Sequence, residues 1–384
     1  MDTEFEEIGH SGGKVTFTIT TDEEGRCMYQ IGYGSSRPGP VTLIGIYALG
    51  GVPVGSYAFG GIGSASDPSP SGCYPVILAS DSQGKFGHKC PQCRKYWRSG
   101  PWPNVCPYCA LRAPSHEFLS EAQLRYVNHY CEVLQDALTD LENGEVEIDM
   151  DEVADAVGSG SEKPSFYVSE ESQQKKFTCP VCDEYNDILG RFGYCSSCGT
   201  RNDLTDFEEN SVQTIRERLN AGNALEKCLR DAASEFDSFM GQIAKELVNN
   251  IPLTEKRKQR LLKNRFYNIE EVCDIFKSWF DIDLCKGMKK GEYDHVALMF
   301  HRRHVHEHNG GEVDEKYLSD SGDTKVRLKQ HLRETQEDVH MLLSCLVKMS
   351  RNVHEGFHEI FPPFPEPVEA FKEKKARIAR YSQK

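Results

Sequence analysis

The pattern of hydrophobic and polar positions changes along the chain, and its first part is typical of β-strands. Between residues 14 and 80, runs of β-branched and aromatic residues alternate with clusters of glycine, proline and serine, which is typical of strands and turns. Such runs occur at 14–20, 27–33 and 41–47. They predict an N-terminal β-rich module over residues 1–87.

Helical periodicity follows further along the chain. An amphipathic pattern at 120–141 predicts a helix within the segment 119–142. Beyond residue 206, apolar positions recur every three or four residues and predict helices near 208–249, 254–263, 269–280, 294–308 and 325–359. We therefore expect an all-α bundle over 206–360, which makes the fold class a multidomain α+β protein.

Two segments lack either pattern and are distinguished by their composition. Residues 143–175 are strongly acidic and include a Gly-Ser-Gly-Ser run, a composition typical of a linker. Residues 361–384 are proline-rich and then basic. They are expected to form a solubilising tail.

Eight of the fifteen cysteines form four C-x2-C pairs. The pairs are grouped into two clusters with the same internal gap of twelve residues, within segments 88–118 and 176–205: Cys90, Cys93, Cys106 and Cys109, then Cys179, Cys182, Cys195 and Cys198. This spacing predicts two zinc ribbons, although an iron–sulfur cluster or a redox pair remains an alternative. Because all four ligands of each ion would be protein thiolates, we expect two structural Zn²⁺ ions and no catalytic metal.

The other seven cysteines are scattered singly, and the acidic first residues lack the basic and apolar blocks of a signal peptide. Both features favour a reducing, cytoplasmic compartment in which these thiols are reduced and mostly buried. The seven are Cys27, Cys73, Cys131, Cys228, Cys273, Cys285 and Cys345.

The net charge and the distribution of charged residues exclude some classes of binding partner. The 384 residues carry a net charge of −14, which excludes a protein that coats DNA without sequence preference, because such binding needs many phosphate contacts. The longest uncharged stretch, 38–66, is rich in glycine and proline. It predicts short strands and turns rather than a membrane-spanning helix, so no membrane association is expected.

Local basic segments still allow contact with nucleic acid. The first ribbon combines basic and aromatic residues, including Trp97 and Arg98, which either stack on single-stranded nucleic acid or pack beneath a ribbon too small for its own core. A second basic stretch is expected either to gather an RNA backbone or to form a solvated helix face. It contains Lys256, Arg257, Lys258 and Arg260.

The segment 301–308 holds four histidines and two arginines near the predicted end of a helix. A neutral His308 can remove the proton from a ribose 2′-hydroxyl, which then attacks the adjacent phosphate, while Arg303 holds that phosphate. A protonated imidazole, from a second subunit, can supply the leaving oxygen with a proton. DNA lacks the 2′-hydroxyl, so this chemistry selects RNA.

Arg303-x4-His308, with the polar His304 directly after the arginine, resembles the motif of HEPN domains, α-helical domains named from higher eukaryotes and prokaryotes. The following residues 309–318 and 321–323 are similar to an extension found in some of these families. The resemblance covers about 208–360 and implies a metal-independent endoribonuclease. It also implies a homodimer that forms through the helical domain, with a shared cleft, and a role in antiviral defence or as a toxin, with the ribbons recognising a target or protein partner.

Three alternatives remain open from the residues themselves. His301, His304 and His308 share one helix face and could ligate a metal, although a further ligand is not obvious nearby. The segment could instead be a packing surface whose histidines and arginines satisfy one another. The whole chain could also be a non-catalytic zinc-ribbon adaptor that binds nucleic acid or protein partners.

Overall fold

A computed structural model describes residues 14–24, 27–34, 42–58, 70–81, 83–139, 143–149, 173–222, 224–263 and 266–382. The chain forms two compact units. The first unit comprises Met1–Thr200 together with Phe364–Lys384, and the second, here called the helical unit, comprises Arg201–Pro363. The C-terminal segment therefore belongs with the N-terminal half of the chain.

The strands described in the first unit form three small sheets. Two three-stranded sheets have the orders β2-β1-β8 and β4-β3-β5, and a four-stranded sheet has the order β6-β7-β10-β9. The strands are β1 (Lys14–Thr21), β2 (Cys27–Gly34), β3 (Leu43–Leu49), β4 (Val52–Ala58), β5 (Tyr74–Ala79), β6 (Phe86–Lys89), β7 (Tyr96–Ser99), β8 (Gly144–Asp149), β9 (Gln174–Thr178) and β10 (Tyr185–Leu189).

The two three-stranded sheets share one hydrophobic core with helix α1 (Glu121–Thr139). Alternate residues of β1 are buried, as the period of a strand requires: Val15, Phe17 and Ile19 point into this core. The helix contributes Tyr126 and Tyr130. The predicted strands and the amphipathic helix are thus present in the described residues.

The acidic segment 143–175 begins with a strand where its composition predicts a linker. Strand β8 pairs antiparallel with β1, and Ile148 faces the core while Glu145 and Glu147 face solvent. The high charge makes this strand hard to recognise from composition. One face of the strand lies in solvent, so every second residue can be acidic. Residues 150–172 lie outside the described residues.

The helical unit is built around two long helices, α4 (Leu225–Asn250) and α9 (Gln336–Ile360), and α7 (Lys290–His308) packs against both. Its described helices are α2 (Asp203–Asp206), a π-helical turn (Phe207–Val212), α3 (Gln213–Asn220), α4 (Leu225–Asn250), α5 (Glu255–Lys263), α6 (Ile269–Phe280), α7 (Lys290–His308), α8 (Glu315–Ser321) and α9 (Gln336–Ile360). The segment is all-α in its regular structure, as the apolar periodicity predicts.

Two predicted helices differ from those in the structure. The single helix expected at 208–249 is interrupted after Asn220, where Gly222 adopts a left-handed conformation with φ of 72°. The helix expected from residue 325 begins only at Gln336, because Thr335 caps it by accepting a hydrogen bond from the Asp338 N–H. Residues before that cap instead pair back, through a bridge between Glu312 and His331.

The predicted solubilising tail forms a helix, α10 (Pro365–Ser382), which belongs to the first unit. Pro365 is its first residue, a position at which proline costs no hydrogen bond. Among the described helices, none is both long enough and sufficiently apolar to cross a lipid bilayer.

Candidate functional site

Each of the two cysteine clusters brings its four sulfur atoms together. In the first, the Sγ atoms of Cys90 and Cys109 are 3.7 Å apart, as are those of Cys93 and Cys106. In the second cluster the corresponding distances are 3.7 Å for Cys179–Cys198 and 3.5 Å for Cys182–Cys195. A tetrahedron of thiolates about 2.3 Å from a Zn²⁺ ion has edges of about 3.8 Å. Both groups therefore fit a metal ion with four thiolate ligands.

All four C-x2-C turns share one backbone conformation. The residue directly after the second cysteine is left-handed in every turn, and its N–H donates to the carbonyl of the first cysteine. The first cysteine's N–H donates in turn to the carbonyl five residues on. The left-handed residues are Arg94 (φ 62°), Ala110 (φ 58°), Asp183 (φ 65°) and Gly199 (φ 81°). Three of these four residues are not glycine, and a left-handed conformation is strained for them, which indicates that the cysteines, not local preference, determine the turn.

The two ribbons are one structural body, because they contribute adjacent strands to the four-stranded sheet. Strand β7 of the first ribbon pairs antiparallel with β10 of the second, with Ser99 opposite Asn186 and Arg98 opposite Asp187. The Asn186 side-chain oxygen also accepts a hydrogen bond from the Ser196 N–H inside the second cluster, at 2.7 Å. Loss of metal from one ribbon is therefore expected to disturb the other.

The candidate stacking residues of the first ribbon are mostly buried. Trp97 is 0% exposed and packs edge-on against Phe118, and Arg98 is 1% exposed. The Arg98 guanidinium donates to Asp81 and Gln83 and lies 4.0 Å from Asp187 of the second ribbon. These two residues hold the ribbons and the loop at Asp81 together, and they are not available to stack on nucleic acid.

Arg98→Ala is expected to destabilise the first unit by about 3–5 kcal/mol, because it leaves the Asp81 carboxylate buried without its cation. Urea unfolding of the variant measures the loss. Arg125→Ala, at an exposed position on α1, is the matched control and is expected to change stability little. The double variant Arg98→Met with Asp81→Asn removes both charges and is expected to recover part of the loss. An Arg98→Ala protein as stable as the control would contradict this account.

Helix α10 covers the second cysteine cluster. Val368 packs against Cys179, Cys195 and Cys198, and the Phe364 N–H donates to the Cys198 carbonyl at 2.8 Å. The Lys374 ammonium also lies 2.9 Å from the Asp183 carboxylate, in the turn that follows Cys182. The basic composition of α10 does not reveal that it packs on the cluster, because few of its residues make the apolar contact.

The histidine-rich segment forms the last turns of α7, and its two arginines have different surroundings. Arg302 donates to both oxygens of the buried Glu334 carboxylate, at 3.1 and 3.0 Å, and lies 3.4 Å from Asp323. His306 donates to the same Glu334 at 2.7 Å. Arg302 and His306 thus anchor the connection between α8 and α9 to α7, as the packing interpretation expects for part of the segment.

Arg303 belongs to a different environment. Its guanidinium lies over the Tyr267 ring, 3.9 Å from the centroid, and the side chain is half-buried. Its Nε–H is buried and has no hydrogen-bond partner among the described residues. Of the two arginines, Arg303 is therefore the better placed to receive an anion.

His304 and His308 lie side by side one turn apart, with ring centroids separated by 4.5 Å, and both are exposed. Partial burial lowers the pKa of His304, and the nearby His308, Lys316 and Arg303 lower it further, against the opposing effect of the Asp314 carboxylate. A neutral imidazole in a positively charged surface can accept a proton near neutral pH. His301, the third histidine of the proposed metal face, is not part of a group of three or more ligand atoms in the described structure.

The basic stretch 256–260 lies on α5. Lys256, Arg257 and Arg260 are exposed and Lys258 is half-buried. Arg257 and Arg260 lie over the Trp279 ring, at 5.2 and 5.7 Å, and Arg260 also pairs with Glu271 at 3.0 Å. The helix therefore presents a cationic and aromatic surface in which one of the four charges is partly neutralised.

A second histidine pair, one turn apart on α9, is half-buried in the helical unit. His354 and His358 have ring centroids 4.5 Å apart, and His358 accepts a hydrogen bond from the Arg201 N–H. Burial, together with the nearby His358 and Arg201, lowers the pKa of His354 to about 3. His354 is therefore neutral in the folded protein above about pH 3.

This pKa predicts that the helical unit loses stability in acid. The unfolded chain binds a proton at His354 below about pH 6.5 while the folded chain does not, so stability is complete above that pH and falls as the pH approaches 3. We expect the acid loss between pH 7 and pH 4 to be smaller by roughly 3 kcal/mol in His354→Gln than in the unsubstituted protein. Urea unfolding followed by circular dichroism at both pH values measures the difference. His340→Gln, on the same helix, should keep the full loss, and an equal loss in all three proteins would refute the assignment.

Comparison with known proteins gives no identification: no protein-family model, no curated protein and no solved structure matches the chain. Function has to be inferred from the residues themselves.

Proposed function

We propose that both cysteine clusters bind Zn²⁺ as a structural ion. The support is the backbone conformation shared by the four C-x2-C turns and the sulfur separations of 3.5 to 3.7 Å. Four thiolates occupy all positions of a tetrahedral ion, so bound zinc would hold the ribbons without activating water. The chemistry of the protein would then belong to another part of the chain.

We infer that the helical unit is a metal-independent endoribonuclease of HEPN type. The observation that carries this inference is that the basic residues at the end of α7 fall into two groups with different surroundings. Arg302 and His306 are occupied by Glu334, whereas Arg303, His304 and His308 gather at a half-exposed cationic surface. Such a surface has the groups that RNA cleavage without a metal requires.

The proposed reaction assigns one task to each group. The His308 imidazole removes the 2′-hydroxyl proton, and the resulting oxygen attacks the neighbouring phosphorus while the 5′-oxygen leaves. The Arg303 guanidinium holds the phosphate oxygens and offsets their growing negative charge. A protonated histidine, contributed by a second copy of the chain, returns a proton to the leaving oxygen, so we propose that the active form is a homodimer through the helical unit. His304 supports His308 by ring contact.

RNA is proposed to reach this surface along the basic face of α5. Lys256, Arg257 and Lys258 supply charge, and Trp279 supplies a ring beneath two guanidiniums. Both α5 and α6 flank Tyr267, which lies under Arg303. The basic surface and the motif arginine are therefore connected through neighbouring residues of one segment.

A non-catalytic adaptor is the second candidate, and the ribbons favour it through one observation. Three lysines lie over tyrosine rings of the two ribbons: Lys85 over Tyr185, Lys89 over Tyr96 and Lys95 over Tyr108. Paired cations and rings are suited to binding nucleic acid or an acidic protein segment. On this proposal the ribbons recognise a partner and the helical unit docks a second one.

One assay separates the two candidates. Labelled single-stranded RNA and DNA of the same sequence are incubated with the purified full chain, with and without EDTA. The nuclease proposal expects cleavage of RNA alone, in both conditions, with a 2′,3′-cyclic phosphate and a 5′-hydroxyl at the new ends. RNA bound but uncut would favour the adaptor. Cleavage of both polymers that stops in EDTA would exclude the proposed mechanism.

A further inference from the structure

Two cysteines that the sequence presents as isolated are neighbours in the helical unit. The Sγ atoms of Cys273, on α6, and Cys285, in the turn before α7, are 3.4 Å apart. Both residues are half-buried, so a small reagent can reach them. They are twelve residues apart, without a C-x2-C signature, which is why spacing does not reveal the pair.

The turn that carries Cys285 is held in place from two sides. The Cys285 N–H donates to the Asp283 carboxylate at 2.9 Å. The Asn352 side-chain amide of α9 donates to the carbonyls of Leu284 and Lys286, at 2.8 and 2.9 Å. The contact between the two thiols is therefore fixed by hydrogen bonds on both flanks of Cys285.

The surroundings favour sulfur chemistry over metal binding. Among the described residues, groups of three or more possible ligands whose donor atoms lie together occur only at the two four-cysteine clusters. A pair of thiols in contact, partly open to solvent, is instead arranged for oxidation to a disulfide.

We propose that Cys273 and Cys285 form a reversible disulfide by exchange with a low-molecular-weight disulfide such as oxidised glutathione. The bond would tie α6 to the turn that leads into α7, the helix that carries Arg303 and His308. This inference does not depend on the proposed nuclease activity, because it concerns the two thiols alone.

The exchange proceeds in two balanced steps. The Cys285 thiolate attacks one sulfur of the small disulfide, whose sulfur–sulfur bond breaks and releases one thiolate. Cys273 then gives up its proton and attacks the Cys285 sulfur, which forms the protein disulfide and releases the second small thiolate. The two cysteines lose two electrons and two protons, and the small disulfide becomes two thiols. Cys285 is the first nucleophile, because the hydrogen bond from Cys273 lowers the pKa of Cys285.

Tryptic peptides make this reaction directly measurable. Cleavage after Arg265, Lys277 and Lys286 places the two cysteines in adjacent peptides, 266–277 and 278–286, each with one cysteine. The metal-loaded full chain is treated with oxidised glutathione, quenched with N-ethylmaleimide, digested and analysed by mass spectrometry. We expect the labelled forms of both peptides to disappear together and a disulfide-linked pair to appear. Dithiothreitol should restore the labelled peptides, and bound metal, measured in parallel, should stay constant.

Single variants distinguish an internal disulfide from simple surface oxidation. Cys273→Ser should retain a stable glutathione adduct on Cys285, since no thiol is present to displace it. Cys285→Ser should leave Cys273 mostly labelled by maleimide, and Cys345→Ser, a buried cysteine on α9, should behave like the unsubstituted protein. A persistent glutathione adduct on Cys285 in the unsubstituted chain, or unchanged labelling of both peptides, would overturn the proposal.

Discussion

Replacing His308 with alanine is expected to slow RNA cleavage by about 10²–10⁴-fold, the range for losing a general base. The side chain is exposed at the end of α7. Its removal should therefore leave the helical content and the unfolding midpoint close to those of the unsubstituted protein. Single-turnover cleavage of a labelled RNA measures the rate. Binding of the same RNA, followed by fluorescence anisotropy, should change little.

Neighbouring substitutions make this result specific to the proposed site. Arg303→Ala should reduce cleavage strongly, and Arg303→Lys should recover only part of it, because lysine keeps the charge but lacks the planar fork. His340→Ala, at a histidine outside the motif, should cut RNA normally. Arg302→Gln should instead destabilise the helical unit, since it breaks the pairing with Glu334. Unchanged cleavage by folded His308→Ala would remove the nuclease assignment.

Replacing Cys195 with serine is expected to have the largest effect on stability. The residue is 0% exposed and belongs to the second cluster, under helix α10. Structural zinc contributes about 10–16 kcal/mol of apparent binding free energy in small zinc domains, and that energy is largely folding energy. We expect the metal content to fall from two equivalents per chain to about one or less, with partial unfolding of the first unit.

Metal analysis of the purified protein and thermal unfolding test this expectation together. Cys345→Ser provides the control, because Cys345 is also buried but lies on α9, outside both clusters. It should keep both ions. A fall below one equivalent in Cys195→Ser would follow from the shared sheet of β7 and β10, through which one ribbon supports the other. A Cys195→Ser protein with two tightly bound ions would show that the second cluster is not a zinc site.

The cysteine clusters could be predicted from the sequence because their geometry is local. A C-x2-C turn brings two sulfurs together within four residues, and the equal gap of twelve residues sets the distance between the turns. The predicted helices at 254–263 and 269–280 agree with α5 and α6 for a related reason. Apolar residues one turn apart determine them without help from distant segments.

Features that depend on distant partners could not be predicted in this way. The partner of Arg302 is Glu334, more than thirty residues away, so the sequence does not reveal which of two adjacent arginines is anchored. Trp97 and Arg98 resemble a nucleic-acid surface in composition, yet they are buried by contacts with Phe118 and Asp81. The thiol pair of Cys273 and Cys285 depends on the path of the turn before α7. Each of these is a tertiary contact that overrides a local pattern.

The chain order of the two units has a consequence for synthesis. Because the helical unit, Arg201–Pro363, separates the second cysteine cluster from the helix that covers it, a nascent chain leaves the ribosome with that cluster uncovered until residues 364–382 follow. A chain that ends before residue 364 would lack this cover, so Cys179, Cys195 and Cys198 would be more exposed to solvent.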